Sequence, residues 1–401
     1  MDMNAIRSQF PGLARDQIFM DNAAGSQVVK TCIKSIENYL SEQNVSPESG
    51  YPLSEQATAR LQAGYDAAAG YINASIDEIV FGSSTTQLVR NLSTALIFRP
   101  GDEIVLSTLD HEAHLAAWVQ VARWKGLNIR WWKPSRNTKT NPKLEAYDLE
   151  ALRLINKKTR LVCFTHTSNV LGSITDVSEL SKMIKRINPD TLVSVDGVAY
   201  APHGPIDVQV LGVDFYFFSW YKVYGPHMAM AFIRKSVHGD LDSLGHYFLP
   251  KTSASNILGL SGGCFEMIQS IPAIVTYLRS VGWDWIKGQE NALQEELLHF
   301  IQTRPEIQLR GEPKADRNIR VPVVSFTVSG RPSAEVARNI YATSKCTPTA
   351  HNFYARRLFE EVLGIDAENG VIRCSLLHYN TVEEVRNFIQ ALKLTLDNSD
   401  S

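Results

Sequence analysis

Lys222 is the residue whose sequence setting most clearly predicts chemistry. It follows Ser219 by three positions, at the end of the apolar run 213–219, and Tyr221 and Tyr224 flank it. A lysine at the end of a buried strand among aromatic rings loses hydration, which disfavours its charged form and lowers its pKa. Such an amine is suited to attack a carbonyl carbon and form a Schiff base.

Asp196 is the second candidate catalytic residue. It closes another apolar run, 191–196, where a buried charge is costly, although it could also be an ordinary turn residue. A strand-end carboxylate followed by a strand-end Ser-x-x-Lys supplies two groups that a pyridoxal phosphate site requires. The carboxylate faces the pyridinium nitrogen, and the amine takes the aldehyde.

Other candidate side chains follow further predicted strands, where ligands of open α/β sheets bind. The segment 81–87, FGSSTTQ, suits a phosphate through its hydroxyls and helix N-terminal amides, or it simply caps the helix. His111 could stack on a cofactor ring or be an ordinary loop histidine, and Asn169 could serve the site or form an Asx turn. Arg373 lies in an apolar strand, where a guanidinium requires a carboxylate from a substrate or from a structural ion pair.

The elements that must position these residues alternate along the chain. Short β-branched or aromatic runs predict seven strands, at 78–82, 103–108, 128–132, 160–166, 191–196, 213–219 and 228–234. Amphipathic stretches between them indicate an α/β fold with a mostly parallel sheet covered on both faces. The last two strands are close enough in sequence to be antiparallel neighbours.

The pattern changes after about residue 270. It predicts a long helix at 283–303, a strand at 320–328 and a final helix at 381–396. We therefore expect a large domain over 16–270 and a smaller α+β domain over 271–401. Residues 1–15 are expected to pack on the smaller domain.

Composition narrows the class of protein. The net charge of -2 gives no electrostatic case for nucleic acid or an anionic membrane, and no apolar run approaches 18 residues. The N-terminus lacks a signal-peptide pattern. The five cysteines are scattered without a C-x-x-C pair, which indicates free thiols in a reducing compartment and no zinc site. These features favour a cytoplasmic enzyme.

The order of these motifs resembles that of fold-type I pyridoxal phosphate enzymes of the class V aminotransferase and cysteine desulfurase superfamily. The resemblance spans 19–385 and rests on FGSSTTQL, STLDHEAHLAAW, TSNVLGSI, VDGVAYAPHGP, SWYKVYGPH and HYNTVEEVR. Within the superfamily, the chain is similar to a fungal secondary-metabolism branch of the ustiloxin and loline pathways. That branch includes decarboxylative aldolases that act on L-aspartate.

The resemblance implies roles around the cofactor. Lys222 would form the Schiff base with its aldehyde, Asp196 would keep the pyridinium nitrogen protonated, and His111 would stack on the ring. The phosphate would be held by three hydroxyl side chains, those of Thr85, Thr86 and Ser219.

The resemblance also implies a substrate side. Arg373 would bind the α-carboxylate of an amino acid, and Asn169 would lie near that carboxylate or the ring hydroxyl. Tyr221 stands where desulfurases carry a histidine, which suggests a different proton donor or substrate wall at that position.

Two more departures from the desulfurase pattern bear on the reaction. Ala199 replaces the glutamine three residues after the aspartate, so the ring oxygen needs another partner. The stretch 349–359, TAHNFYARRLF, lacks the mobile-loop cysteine that receives sulfur, and Cys346 is a few residues upstream. Cys346 could be a displaced sulfur acceptor, or it could be an ordinary small apolar residue.

These features predict a pyridoxal phosphate enzyme acting at Cα or Cβ of an amino acid. The resemblance further implies carbon–carbon chemistry with an aldehyde co-substrate. The alternatives are a cysteine desulfurase or other C–S lyase, a class V aminotransferase, and a non-catalytic binding protein on the same fold. The resemblance further implies a homodimer, in which a Gly-rich segment at 260–266 contacts the partner's phosphate. No nucleic acid, membrane or metal is expected.

Overall fold

The computed structural model describes residues 2–136, 139–260 and 262–397. Within them, the strands form two sheets. The larger sheet contains Ile79–Gly82 (β1), Glu103–Ser107 (β2), Asn128–Trp132 (β3), Thr159–Thr165 (β4), Leu192–Asp196 (β5), Phe215–Ser219 (β6) and Ala229–Ile233 (β7). The smaller sheet contains Ile307–Arg310 (β8), Val323–Val328 (β9), Thr349–His351 (β10) and Val371–Ser375 (β11). The ends of the predicted domains at residue 1 and at 398–401 lie outside the described residues.

Helices cover both sheets. In the first part of the described chain they are Met3–Arg7 (α1), Lys30–Glu42 (α2), Pro52–Tyr71 (α3), Thr85–Ala95 (α4), Glu112–Lys125 (α5), Ala146–Ala151 (α6), Val177–Ile187 (α7) and Val208–Leu211 (α8). The later ones are Ala254–Leu258 (α9), Phe265–Ile268 (α10), Ile271–Val281 (α11), Trp283–Gln302 (α12), Ser333–Ser344 (α13) and Val382–Asp397 (α14). Within the described residues, no helix combines the length and the apolar character needed to cross a membrane.

The larger sheet has the order β1-β7-β6-β5-β4-β2-β3. Its strands from β3 to β6 are parallel, and β7 runs antiparallel between β6 and β1. All seven predicted strands are confirmed, as is the antiparallel pairing of the last two. Because β4, β5 and β6 are parallel, their carboxyl ends meet at one edge, where such sheets bind ligands.

Strand β6 shows how the sheet is buried on both faces. All five of its residues are buried, and alternate side chains enter different cores. Phe215 and Phe217 pack in the cluster that includes residues of α4 and α5, whereas Tyr216 and Phe218 pack in the cluster that includes residues of α7. The result is the helix–sheet–helix layering expected for a parallel sheet.

Local capping places helix N-termini beside the strand ends. The Ser84 hydroxyl accepts a hydrogen bond from the Gln87 amide at 3.1 Å and starts α4 directly after β1. His111 caps α5 after β2, and Asp176 caps α7. These short connections direct free amides of the first helical turns toward the same edge of the sheet.

The smaller sheet is antiparallel, with the order β10-β11-β9-β8. The N-terminal segment runs along it, since Asp21 forms a parallel bridge with Ser375 at the end of β11. Arg7 pairs with Glu384 of α14 at 2.9 Å. The long α12, β9 and α14 correspond to predicted elements. The boundary at residue 270 stays a prediction, and α11, just beyond it, packs against α2 and α3.

Candidate active site

A cleft opens at the carboxyl ends of the central strands. It is lined by Ser84, Thr85, Thr86, His111, Ala113, Thr165, Thr167, Asn169, Asp196, Val198, Ala199, Ser219, Tyr221 and Lys222. The fold thus brings together, from five separate stretches of chain, all the predicted site residues except Arg373. Arg373 lies behind this lining and is only 3% exposed.

Lys222 ends a short 3-10 helix, Trp220–Lys222, that follows β6 directly. Its side chain is buried, and no described residue forms a hydrogen bond with its Nζ, which lies 5.9 Å from the centre of the Tyr221 ring. Burial, followed by the nearby Arg373 charge, lowers the pKa of Lys222 from 10.5 to about 8, although Asp196 and Asp21 oppose this shift. The amine is therefore neutral in a large fraction of molecules near pH 8.

The turn after Lys222 is held in an unusual backbone conformation. Tyr224 has a φ of 60°, which is uncommon for a residue other than glycine. Its amide donates to the Ser26 hydroxyl at 2.8 Å, and its own hydroxyl contacts the Pro202 carbonyl and His378. These contacts from three other parts of the chain fix where Lys222 enters the cleft.

Asp196 is the last residue of β5 and is also buried. Its Oδ1 accepts a hydrogen bond from the Val198 amide at 2.9 Å, and no described residue donates to its Oδ2. Burial raises the pKa of Asp196, while His114, the Val198 amide and Lys222 lower it. The free oxygen can accept a hydrogen bond from a protonated ring nitrogen.

A buried polar chain that sequence reasoning missed lies close to Asp196. Asp110 Oδ1 contacts His114 Nδ1 at 2.8 Å, and His114 Nε2 contacts the Ser194 hydroxyl at 2.9 Å. Ser194 precedes Asp196 by two positions, so the two side chains lie on the same face of β5. The short spacing of Asp110 and His114 is the one local sequence feature that points to these contacts.

The opposite end of the cleft presents hydroxyls at the N-terminus of α4. Thr85 Oγ1 and Ser219 Oγ are 2.8 Å apart, and Thr86 lines the same space. Ser84 fulfils the capping role that sequence analysis left open. The first-turn amides and the two threonines therefore remain for an anion, which helix N-termini favour.

His111 lines the cleft as the N-cap of α5. Its Nδ1 accepts a hydrogen bond from the Ala113 amide at 3.0 Å, so the proton of the neutral ring lies on Nε2. Burial and the charges of Lys222 and Arg373 lower the pKa of His111 to about 3. A neutral, partly buried imidazole at this place can lie against a flat heterocycle.

Arg373 already has a carboxylate partner within the chain. Its Nη2 donates to Asp21 Oδ1 at 2.6 Å, and its Nη1 donates to the Asn169 carbonyl at 3.1 Å. The Phe353 ring lies against the guanidinium at 3.7 Å, and the buried Nε has no partner among the described residues. Sequence analysis left open whether Arg373 pairs with a substrate carboxylate or forms a structural ion pair, and the structure contains the ion pair with Asp21. Asp21 and Phe353 were missed, because nothing in their local sequence points to Arg373.

The departures from the desulfurase pattern are visible in the structure. The Tyr221 ring stacks on His227 with centroids 5.1 Å apart, and Ala199 lines the cleft without a polar group. None of the five cysteines lines the cleft. Cys346 is buried in the core of the smaller sheet, where burial raises the pKa of its thiol to about 11.

The residues of the cleft fit the aldehyde, the ring nitrogen, the ring face and the phosphate of pyridoxal phosphate. Lys222 offers an amine without a hydrogen-bond partner, and Asp196 offers a free carboxylate oxygen. His111 offers a ring face, and the start of α4 offers amides and hydroxyls for the phosphate. Among the described residues, no group of three or more histidine, cysteine or acidic side chains could hold a metal ion.

The fold and the cleft define a fold-type I pyridoxal phosphate enzyme. The chain belongs to the aminotransferase class-V family, whose model matches residues 18–388. The resemblance expected from the sequence motifs is confirmed, and so are the predicted fold class, enzyme class and cofactor.

The relatives add detail. The aminotransferase-like protein FGM3 of Gibberella zeae is 44% identical over 398 residues, covering 98% of both chains. The cysteine desulfurase-like protein ustD of Aspergillus flavus is 38% identical, covering 98% of this chain and 90% of that protein. The apo structure of a cysteine desulfurase from Thermococcus onnurineus superposes with a TM-score of 0.87 at 25% identity, covering 98% of each chain.

Proposed function

We propose that the enzyme forms a carbon–carbon bond at Cβ of an amino acid, with L-aspartate as donor and an aldehyde as acceptor. The C–C bond to the β-carboxylate breaks, and its carbon leaves as CO2. The electron pair that remains at Cβ attacks the aldehyde carbon, whose oxygen takes a proton. The product is a γ-hydroxy α-amino acid.

The observation that carries this proposal is the composition of the cleft. It contains a buried lysine and a facing aspartate, but no thiol. A sulfur-transferring enzyme needs a nucleophilic thiolate near the substrate, and the buried Cys346 with its raised pKa is poorly suited to that role. The resemblance to a branch with decarboxylative aldolases agrees with carbon chemistry.

Bound at Lys222, pyridoxal phosphate supplies an electron sink for bonds at the amino acid's Cα. Asp196 would hold the ring nitrogen protonated through its free oxygen, and Thr85, Thr86 and Ser219 would hold the phosphate. Released by the incoming amine, Lys222 would accept the Cα proton, since a pKa of about 8 suits a general base near neutral pH.

On the substrate side, Arg373 would bind the α-carboxylate with Asn169 beside it. Tyr221 and His111 would form walls that keep water from the reacting carbons.

The names of the relatives favour two other reactions, sulfur removal from cysteine and amine transfer. One incubation separates all three. Enzyme loaded with pyridoxal phosphate is given L-aspartate or L-cysteine in deuterated water, with and without benzaldehyde, and products are identified by mass spectrometry.

We expect alanine deuterated at Cβ from aspartate alone, and a γ-hydroxy amino acid when benzaldehyde is added. A Lys222→Ala variant should yield neither. Sulfide from cysteine, or a 2-oxo acid from aspartate, without any decarboxylation would overturn the proposed reaction.

A homodimer is part of the same proposal. Large apolar side chains are exposed at Tyr247 (96%), Phe248 (67%) and Leu260 (55%), and Leu260 belongs to the segment 260–266. Large exposed apolar side chains are typical of association surfaces where they form a patch. Residue 261 of that segment lies outside the described residues. Sedimentation of a species with the mass of one chain, 44.8 kDa, at micromolar concentration would contradict the dimer.

A further inference from the structure

The segment that replaces the desulfurase cysteine loop contains two consecutive residues with strained backbone. Phe353 and Tyr354 have φ values of 50° and 56°. Positive φ is uncommon outside glycine, and two adjacent cases persist only where surrounding contacts impose them. The contacts that offset this strain therefore indicate what the segment does.

The carbonyl groups of the two strained residues accept hydrogen bonds from both sides of the cleft. The Phe353 carbonyl accepts a hydrogen bond from Asn169 Nδ2 at 3.0 Å. The Tyr354 carbonyl accepts from the amide of Glu112 at 2.8 Å, directly after His111. One dipeptide therefore ties the loop after β4 to the start of α5.

The Phe353 side chain contacts a third residue, Arg373. It is 2% exposed, and its ring lies 3.7 Å from the centre of the Arg373 guanidinium. Strand β10, which ends two residues earlier, pairs with β11 so that Thr349 lies opposite Arg373. The Asn169 carbonyl, which accepts from Arg373, completes a closed circuit of three residues.

We propose that Phe353 is the positioning residue that orients Arg373 and Asn169 toward the α-carboxylate of the amino acid. Its ring restricts the guanidinium plane, and its carbonyl holds the Asn169 side chain. This role rests on the proposed function, because it assumes that Arg373 binds that carboxylate. The segment 351–355 is then a fixed clamp in place of a mobile sulfur carrier.

The test uses the holoenzyme and a pair of ligands that differ in one group. L-Aspartate has an α-carboxylate, and β-alanine is the same molecule without it. The Phe353→Leu variant keeps an apolar side chain but loses the ring face. Phe388→Leu, in α14, is the matched control, since Phe388 is equally buried and lies in the core of the smaller sheet away from the cleft.

We expect Phe353→Leu to weaken L-aspartate binding roughly tenfold, as the loss of a desolvated cation–π contact implies. Binding of β-alanine, kcat and the visible absorbance of the bound cofactor should change little. Phe388→Leu should lower the thermal midpoint without changing either affinity. Phe353→Tyr, which keeps the ring, should restore aspartate binding.

Unchanged aspartate affinity in Phe353→Leu, or an equal loss for β-alanine, would overturn the positioning role. If Phe353→Leu does not fold, Phe353→Met, which keeps more volume, is read by the same criteria. A wild-type enzyme that binds the cofactor but responds to no amino acid would overturn the proposed function, a result distinct from any behaviour of these variants.

Discussion

Asp21 and Arg373 form an ion pair of 2.6 Å that joins the N-terminal segment to the central strand of the smaller sheet. The guanidinium side chain is almost fully buried, whereas the Asp21 side chain retains 26% exposure. Asp21 is thus a carboxylate within the protein that occupies Arg373, and we propose that Arg373 also binds the carboxylate of the substrate. On that proposal, Asp21 orients the guanidinium and also competes with the substrate for it.

The Asp21→Asn variant tests that competition. Loss of the partner leaves a buried guanidinium charge unpaired, so we expect the free energy of unfolding to fall by about 2–4 kcal/mol. L-Aspartate should then stabilise the variant more than the wild type, because the α-carboxylate restores a partner. Urea unfolding with and without the amino acid measures both effects.

Glu296→Gln serves as the control, since it breaks an exposed ion pair with Arg386 and should lower the free energy of unfolding much less. Equal stabilisation of wild type and Asp21→Asn by aspartate would contradict the competition.

Arg373→Ala should weaken L-aspartate binding by about 2–5 kcal/mol, the usual effect of removing one member of a buried charge pair. Calorimetric titration of the holoenzyme gives this value directly. Affinity for β-alanine should hold steady. An aspartate Kd equal to that of the wild type would remove Arg373 from the carboxylate site.

Lys222→Met should stabilise the cofactor-free protein in a pH-dependent way. The folded pKa of Lys222 is about 8 and the ordinary value is 10.5, so between these pH values the unfolded state binds more protons than the folded state. Wild-type stability therefore rises with pH across this window, and below pH 8 the buried charge costs on the order of 3 kcal/mol.

Lys222→Met lacks this cost, so its advantage over the wild type should be largest at pH 7 and shrink steadily above pH 8. Denaturant unfolding from pH 7 to pH 10 measures the difference. Lys34→Met removes an exposed lysine and serves as the control for the loss of one positive charge. A constant advantage for Lys222→Met would indicate that the amine is not desolvated.

Asp196→Asn should lower kcat on the order of 100-fold or more, the range seen when one preorganised electrostatic contact is lost. The amide keeps the size of the side chain but cannot hold the ring nitrogen protonated. Steady-state kinetics should show the loss while circular dichroism stays unchanged. A kcat close to that of the wild type would place the essential carboxylate elsewhere.

Cys346→Ala should leave turnover and any sulfide release unchanged. The thiol lies in the core of the smaller sheet and no cysteine lines the cleft, so its removal should cost only about 1 kcal/mol of stability. Loss of activity in a folded variant would revive a sulfur-transfer reaction through this residue.

Sequence patterns predicted the larger sheet well because its signals are local. Apolar runs such as 213–219 mark buried strands, and β6 begins two residues inside that run. The meeting of Lys222 and Asp196 in one cleft followed from a general property, since parallel strands end at the same edge.

Contacts between distant segments were beyond the reach of such patterns. Asp21 lies 352 positions from Arg373, and Ser194 lies 80 positions from His114. The clamp at Phe353 also depends on a backbone conformation that a Phe-Tyr pair does not favour. Each of these features arises from tertiary packing that overrides local preference, and so it required the structure.

The Asp21–Arg373 pair also has a consequence for the order in which the site forms during synthesis of the chain. Ribosomes add roughly 5–20 residues each second, so the first residue of the pair waits some tens of seconds for the second to be synthesised. Until β11 is translated, the chain lacks Arg373, whereas Asp21 and Phe353 are already present. On the proposal that Arg373 binds the α-carboxylate, the site for the amino acid is therefore completed only after β11, later in translation than every residue that lines the cleft.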